Sequence, residues 1–249
     1  MNKPSDVLQK LRAIARPDHI EGMVRYGMTA EKRLGISVPE LRKIAKELGR
    51  DHKLALALWE TGIPEARIVA SLVADPDKLT EEQMEHWVNG IDSWDVCDQV
   101  CMNLFDKSPL AWKKIVDWSA RAEEFVKRTG FSLMASLAVH DKTASDKKFM
   151  AFFPLIKREA GDERNFVKKA VNWALRNIGK RNLNLNTAAL ETATAIRQIN
   201  SSSARWIASD ALRELESESV QKKLRKKLNK IKLNKDKYTV NTKRRRDNR

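Results

Sequence analysis

Glycine and proline are scarce in this chain, 9 and 7 in 249 residues. That leaves little of the turn chemistry that a many-stranded sheet needs. Cysteine is scarcer still. Cys97 and Cys101 stand four apart, on one face of any helix that carries them. The spacing is not Cys-x-x-Cys, and His19, His52, His86 and His140 are scattered. Neither a zinc site nor a disulfide framework follows, and no cofactor is implied. Two buried free thiols in a reducing compartment are expected instead. No apolar run is long enough to cross a membrane, and no secretory signal is present. The expectation is a soluble, cytoplasmic protein.

What the chain has is apolar residues (42%) and charge (33%), enough for a real core with a solvated exterior. It has seven tryptophans and a formal charge of +15, with a pI near 9.9. Such a balance argues for a polyanionic partner, nucleic acid first. The charge is unevenly spread. Residues 220–249 hold 14 Lys/Arg against 2 Asp/Glu, whereas the preceding 219 residues hold 34 against 31. A folded binding face upstream must therefore come from local arrangement.

Helix signals recur along the chain. Ser37-Val38-Pro39-Glu40 is a capping box opening Pro39–Leu48, and Thr80-Glu81-Glu82-Gln83 is a second, opening a helix to about Asn89. Lys53–Trp59 and Pro64–Val73 read as short amphipathic helices. Ser93–Phe105, Pro109–Trp118, Ala122–Val139, Ser145–Glu159, Asp162–Lys180, Asn186–Gln198, Ser202–Leu215 and Ser219–Leu228 follow. Helices this short, with short links, do not plan a four-helix bundle. Pairs of roughly 35–45 residues suggest HEAT-like stacking, an all-α solenoid with a concave face for an extended partner. The domain expected is 1–228. Residues 229–249 read as a disordered basic arm, although Ile231, Leu233, Tyr238 and Val240 leave room for a late strand.

Three helices carry residues that sit oddly on them. In Asp162–Lys180, a stripe of Lys169, Trp173, Arg176 and Lys180 flanks the apolar face. A ring among cations suits nucleic acid, but the same pattern is given by a half-buried indole covered by Lys and Arg stems, with no binding role. In Ser93–Phe105, Trp94 and Asp98 lie adjacent on the edge of the apolar face. A carboxylate there is partly desolvated and needs a cationic partner or a job. Asp95 is expected to point towards solvent, favoured by the helix dipole. Arg128 falls within the otherwise apolar Phe125–Phe131 stretch, as partner of a buried Asp, as a fork for phosphate, or both. Trp59, Trp87, Trp112, Trp118 and Trp206 are assigned to packing.

At these residues the sequence resembles the AlkD family of DNA alkylation-repair glycosylases, which are built from HEAT-like repeats. The Arg25-Tyr26 pair followed by Gly35-Ile36-Ser37-Val38-Pro39-Glu40-Leu41-Arg42 looks like the family's N-terminal signature. Ser93-Trp94-Asp95-Val96-Cys97-Asp98 is similar to its Trp-Asp-x-x-Asp helix, and Val126-Lys127-Arg128 to the helix with its phosphate-contacting Arg. Lys169-Ala170-Val171-Asn172-Trp173-Ala174-Leu175-Arg176 is similar to its Lys-Ala-x-x-Trp-x-Leu-Arg helix. The likeness runs from about residue 20 to 215. Ser93 stands where many members have an aromatic, and Asn177 where an acidic residue is common.

The resemblance implies that Asp98 is the catalytic carboxylate, with Trp94 and Trp173 as indoles framing lesion and sugar. Arg128 would hold the DNA backbone and Tyr26 would pack near the DNA. From their stripe on the helix, Lys169, Arg176 and Lys180 are expected to bind DNA as well. The substrate implied is double-stranded DNA with purines alkylated at N3 or N7, acted on by a monomer. Such a base is cationic and already a good leaving group, so no general acid is required. Family members are thought to act without enclosing the base, and no base-sized pocket is expected beside Asp98. Two other readings stand: a non-catalytic protein that binds branched or distorted DNA, and a HEAT-like protein scaffold.

Overall fold

A computed structural model describes residues 3–229. The expectations for the arm beyond Asn229, including the late strand, lie outside the described residues. No strand occurs among those described.

The helices are α1 (Pro4–Ala13), α2 (Pro17–Arg25), α3 (Val38–Leu48), α4 (His52–Trp59), α5 (Pro64–Val73), α6 (Glu81–Asn89), α7 (Trp94–Asn103) and α8 (Ala111–Trp118). They continue with α9 (Glu124–His140), α10 (Asp146–Met150), α11 (Phe153–Glu159), α12 (Asn165–Gly179), α13 (Leu183–Ile196) and α14 (Ser202–Leu215). The chain is helical again over 218–229, here α15. None is long and apolar enough to cross a membrane.

Both expected capping boxes form. Glu40 accepts from the Ser37 N–H (3.2 Å) and hydroxyl (2.7 Å). Thr80 and Gln83 exchange side-chain and backbone bonds at 3.0 and 3.2 Å. Each satisfies donors that a helix start leaves orphaned. Two departures have local causes. The single helix expected over Ser145–Glu159 is broken into α10 and α11, because the Pro154 ring would clash with the carbonyl of Met150 in a continuous helix. At the N-terminus α1 and α2 add a pair of helices ahead of the first capping box. Each opens with a proline, Pro4 or Pro17, and an acid in its first turn, Asp6 or Asp18.

The core runs the length of the chain, each helix packing on near neighbours. Trp59 and Trp87 stack with centroids 4.2 Å apart and planes 3° from parallel, and Phe105 and Trp118 extend the row. Trp112 stacks on Phe152. Trp206 departs from the packing role assigned to it: it is 41% exposed, with the Lys168 ammonium 5.4 Å from its ring. Cys97 and Cys101 are free and buried, as expected.

Helix α9 is the centrepiece, buried on all sides from Arg128 to Ala138 by α7, α8 and α12. Gly130 permits this closeness, since a Cβ there would lie 2.7 Å from the Ser119 nitrogen. A buried helix has no wet face on which to park a cation. Arg128 must therefore find its partner inside.

Candidate active site

That partner is Asp98. One Arg128 nitrogen donates to both Asp98 oxygens, at 2.9 Å to Oδ1 and 3.0 Å to Oδ2. Ser132, one turn along α9, donates to Oδ1 at 3.0 Å. The other terminal Arg128 nitrogen donates to the Phe166 carbonyl at the start of α12, at 2.7 Å. The guanidinium thereby ties α7, α9 and α12 together. It is almost wholly buried, while the Asp98 side chain keeps 15% exposure. Burial pushes the Asp98 carboxyl above the usual carboxylate range, partly offset by Arg128 and Ser132. Burial also works against the Arg128 charge, but the Asp98 carboxylate outweighs it and Arg128 stays a cation. A carboxylate oxygen can accept about two hydrogen bonds. Oδ2 receives one from these neighbours and has capacity for a water from the cleft.

Above this pair opens a hollow of about 290 Å³ lined by Tyr26, Trp94, Asp98, Arg128, Phe166, Lys169 and Trp173. Helices α7, α9 and α12 and the end of α2 supply the walls. Trp94 and Asp98 come from successive turns of α7, and Phe166, Lys169 and Trp173 from one side of α12. Tyr26, at the end of α2, is 77% exposed. Its backbone carbonyl accepts from the Trp94 indole N–H at 3.0 Å, which fixes how that ring stands. Phe166 stacks at a tilt on Phe125. Lys169 is exposed.

Six residues singled out from sequence thus meet around one opening. Arg176 and Lys180 do not line it. Both are paired with α14: Arg176 with Glu214 and, at 3.3 Å, Asp210; Lys180 with Glu214 at 2.7 Å. Sequence spacing put them on the right stripe but could not show that α14 brings two carboxylates to it.

Asp95 corrects an expectation. It is 8% exposed and receives the Arg33 guanidinium on both oxygens, at 2.8 and 3.1 Å. Arg33, itself 6% exposed, also donates to Ser93 Oγ (3.3 Å) and, from Nε, to the Thr29 carbonyl (2.6 Å). Ser93 is fully buried, and its hydroxyl donates to Asp95. This network clamps the loop after α2 to the first turn of α7, where Trp94 begins. The small Ser93 fits the clamp. Gly35 lies in the same connection, with φ +76° and room for no Cβ, which would meet the Arg16 carbonyl at 2.0 Å. Its N–H donates to buried Glu65 at 2.8 Å. Arg33 was not among the residues marked from sequence; its one signal was that the acid it neutralises lies between Trp94 and Asp98.

A second hollow, of about 390 Å³, shares Trp94, Asp98 and Trp173 with the first and is otherwise largely apolar, with Met23, Met28, Ile36, Ile68 and Met102 in its walls. Pockets that hold small molecules run from about 300 to 1,000 Å³. This hollow is of that size and lies beside Asp98. No group of His, Cys, Asp and Glu among the described residues is arranged to hold a metal ion.

The fold and site together define a class: a HEAT-like helical-repeat protein with a buried Arg128–Asp98 pair under an aromatic cleft. Residues 7–215 match the family described as "DNA alkylation repair enzyme". The chain belongs to that family. A solved structure described as "A new family of proteins related to the HEAT-like repeat DNA glycosylases with affinity for branched DNA structures" is similar, with a TM-score of 0.71. It is 21% identical, over 86% of this chain and 95% of that one. A designed armadillo repeat protein in complex with the peptide (KR)4 aligns over 89% of this chain and 90% of its own at 15% identity, with a TM-score of 0.29. No curated protein matches the chain.

Proposed function

We propose that this protein is a DNA glycosylase that releases cationic N3- or N7-alkylated purines from duplex DNA held along a concave face. The observation that carries the reading is the Asp98 carboxylate, held in place by Arg128 and Ser132 yet still 15% open to an aromatic cleft.

The chemistry follows from the charges. An alkylated purine cation leaves with its bonding electrons, and the sugar becomes oxocarbenium-like. A fixed, partly desolvated carboxylate stabilises that cation more than water does, because it needs no reorganisation. The free capacity on Oδ2 suits a water poised to attack the sugar, with its proton accepted by the carboxylate. Trp94 and Trp173 offer electron-rich faces to the cationic base and sugar, an attraction of roughly 0.5–2 kcal/mol each. Lys169 and exposed Tyr26 at the rim are placed for the sugar–phosphate backbone. Arg128 serves chiefly as the anchor of Asp98, since its terminal nitrogens are already engaged.

A second reading is favoured by the similar structure described as having affinity for branched DNA. On it, the same surface binds branched DNA and cleaves no bond. Incubating the native protein with methylated duplex DNA separates the two. Free 3-methyladenine or 7-methylguanine supports the glycosylase. No released base, together with tighter binding to a four-way junction than to a duplex, supports the second reading.

A further inference from the structure

Helix α15 is docked by one face. Val220 and Leu224 are buried. The Gln221 amide donates to the Leu215 carbonyl (2.8 Å) and to Asn186 (3.0 Å). Lys227 donates to the Lys180 and Arg181 carbonyls at the end of α12, at 2.9 and 3.2 Å, a favourable place for a cation at a helix C-terminus. The other face carries Lys222, Lys223, Arg225 and Lys226, all exposed. At 100° per residue they span a little under half of the helix circumference.

Some cations upstream are neutralised within the fold. Arg176 and Lys180 are neutralised by α14, and Lys113 and Lys114 by Glu81. None of the four on α15 has a carboxylate within 4.0 Å among the described residues. The crowding is felt next door: burial, then the like charges of Lys142, Arg181 and Lys223, hold the Lys227 ammonium below its usual range. The docking contacts thus hold four cations on one face, with Glu216 and Glu218 at its edge but none of the four in an ion pair. Concentrated, fixed positive charge of this kind attracts a polyanion.

We propose that the exposed face of α15 is a second phosphate-binding surface for DNA, separate from the Asp98 cleft. The proposal rests on the DNA reading above. Helix α12 joins the two places: Lys169 stands at the cleft and Lys180 against α15, eleven residues or roughly 16 Å along the axis. A duplex that leaves the Asp98 cleft along the axis of α12 reaches α15. Contacts there are to phosphates alone, so they add affinity without sequence preference.

The test is the salt dependence of binding to a methylated duplex several helical turns long. It compares the native full chain with the variant Lys222→Gln, Lys223→Gln, Arg225→Gln, Lys226→Gln. Glutamine keeps the helix propensity of these positions, and circular dichroism checks the fold. The slope of log affinity against log salt is expected to fall by about 0.9 for each phosphate left without its cation, so by roughly 3 to 4 if all four engage. Base release at saturating protein is expected to stay unchanged. The charge-keeping variant Lys222→Arg, Lys223→Arg, Lys226→Arg should retain the native slope. A merely solvated cationic face gives the glutamine variant the native slope and affinity, which overturns the proposal while leaving the Asp98 reading intact. If the native protein shows no salt-dependent affinity for DNA, both fall together.

Discussion

Asp98 is held in two opposing ways, and the balance between them has a measurable consequence. Burial raises its carboxyl above the value of a free aspartate, about 3.9, and Arg128 and Ser132 recover only part of the difference. The proposed chemistry needs the anion. The rate of base release is therefore expected to rise with pH on an acid limb whose midpoint lies above about 3.9. As pH falls through that midpoint the carboxyl protonates and the rate is lost. A single-turnover pH profile checks this, and Asp98→Asn should lack the limb. The same shift acts on stability with the opposite sense. A carboxyl whose folded value is raised favours the fold fully below its unfolded value, and that contribution is lost as pH rises through the folded one. The site thus keeps its charge at some cost to the fold, a common trade at functional sites. Asp98 and Arg128 were legible from the sequence because each was the wrong residue type for its place on an apolar face. The sequence showed that Asp98 needs a cation and that Arg128 could serve a buried Asp, but not that each is the other's partner, because helical spacing says nothing about which residue a neighbouring helix offers.

Helix α7 is placed by two anchors at opposite ends of its first turns. Arg128 grips Asp98, and Arg33 grips Asp95 and Ser93. Between them Trp94 is oriented by the Tyr26 carbonyl. Removing one partner of a buried ion pair leaves the other charge uncompensated and costs about 3–5 kcal/mol. Arg33→Met is expected to destabilise the protein by that order in a denaturant titration. It should also shift Trp94 emission and slow base release, because the clamp between the α2 loop and α7 is broken. Unchanged stability would mean that the Arg33–Asp95 pair does not hold the element. Most helices were legible from capping boxes and apolar periodicity. The pair α1–α2 was not, since α2 buries none of its residues fully and so carries a weak core signal. The Asp95 clamp was missed for a related reason. A first-turn acid is ordinarily a solvent-facing dipole partner, and only the return of a loop from 62 residues upstream makes it a core group.

Across the described residues, a set of mostly short helices bury one long core by stacking on near neighbours. The same stacking carries α2, α7, α9 and α12 to one opening, although Tyr26 and Trp173 are far apart in the chain. The charge is then divided by place. Some upstream cations are paired within the fold, such as Arg176 and Lys180, and four without an ion pair stand together on one face of α15. Both features fit a protein that reads DNA by shape and charge and reserves one partly buried carboxylate for chemistry.

The most direct test of that account is the single-turnover rate of base release from methylated duplex DNA, measured for the native protein and for Asp98→Asn with both shown to be folded. The account predicts release of 3-methyladenine or 7-methylguanine by the native protein, and a rate lower by about 10²–10³-fold in the variant, the loss typical of removing one preorganised electrostatic group. Equal rates in the two proteins, or no release by a native protein that nevertheless binds the DNA, would contradict it.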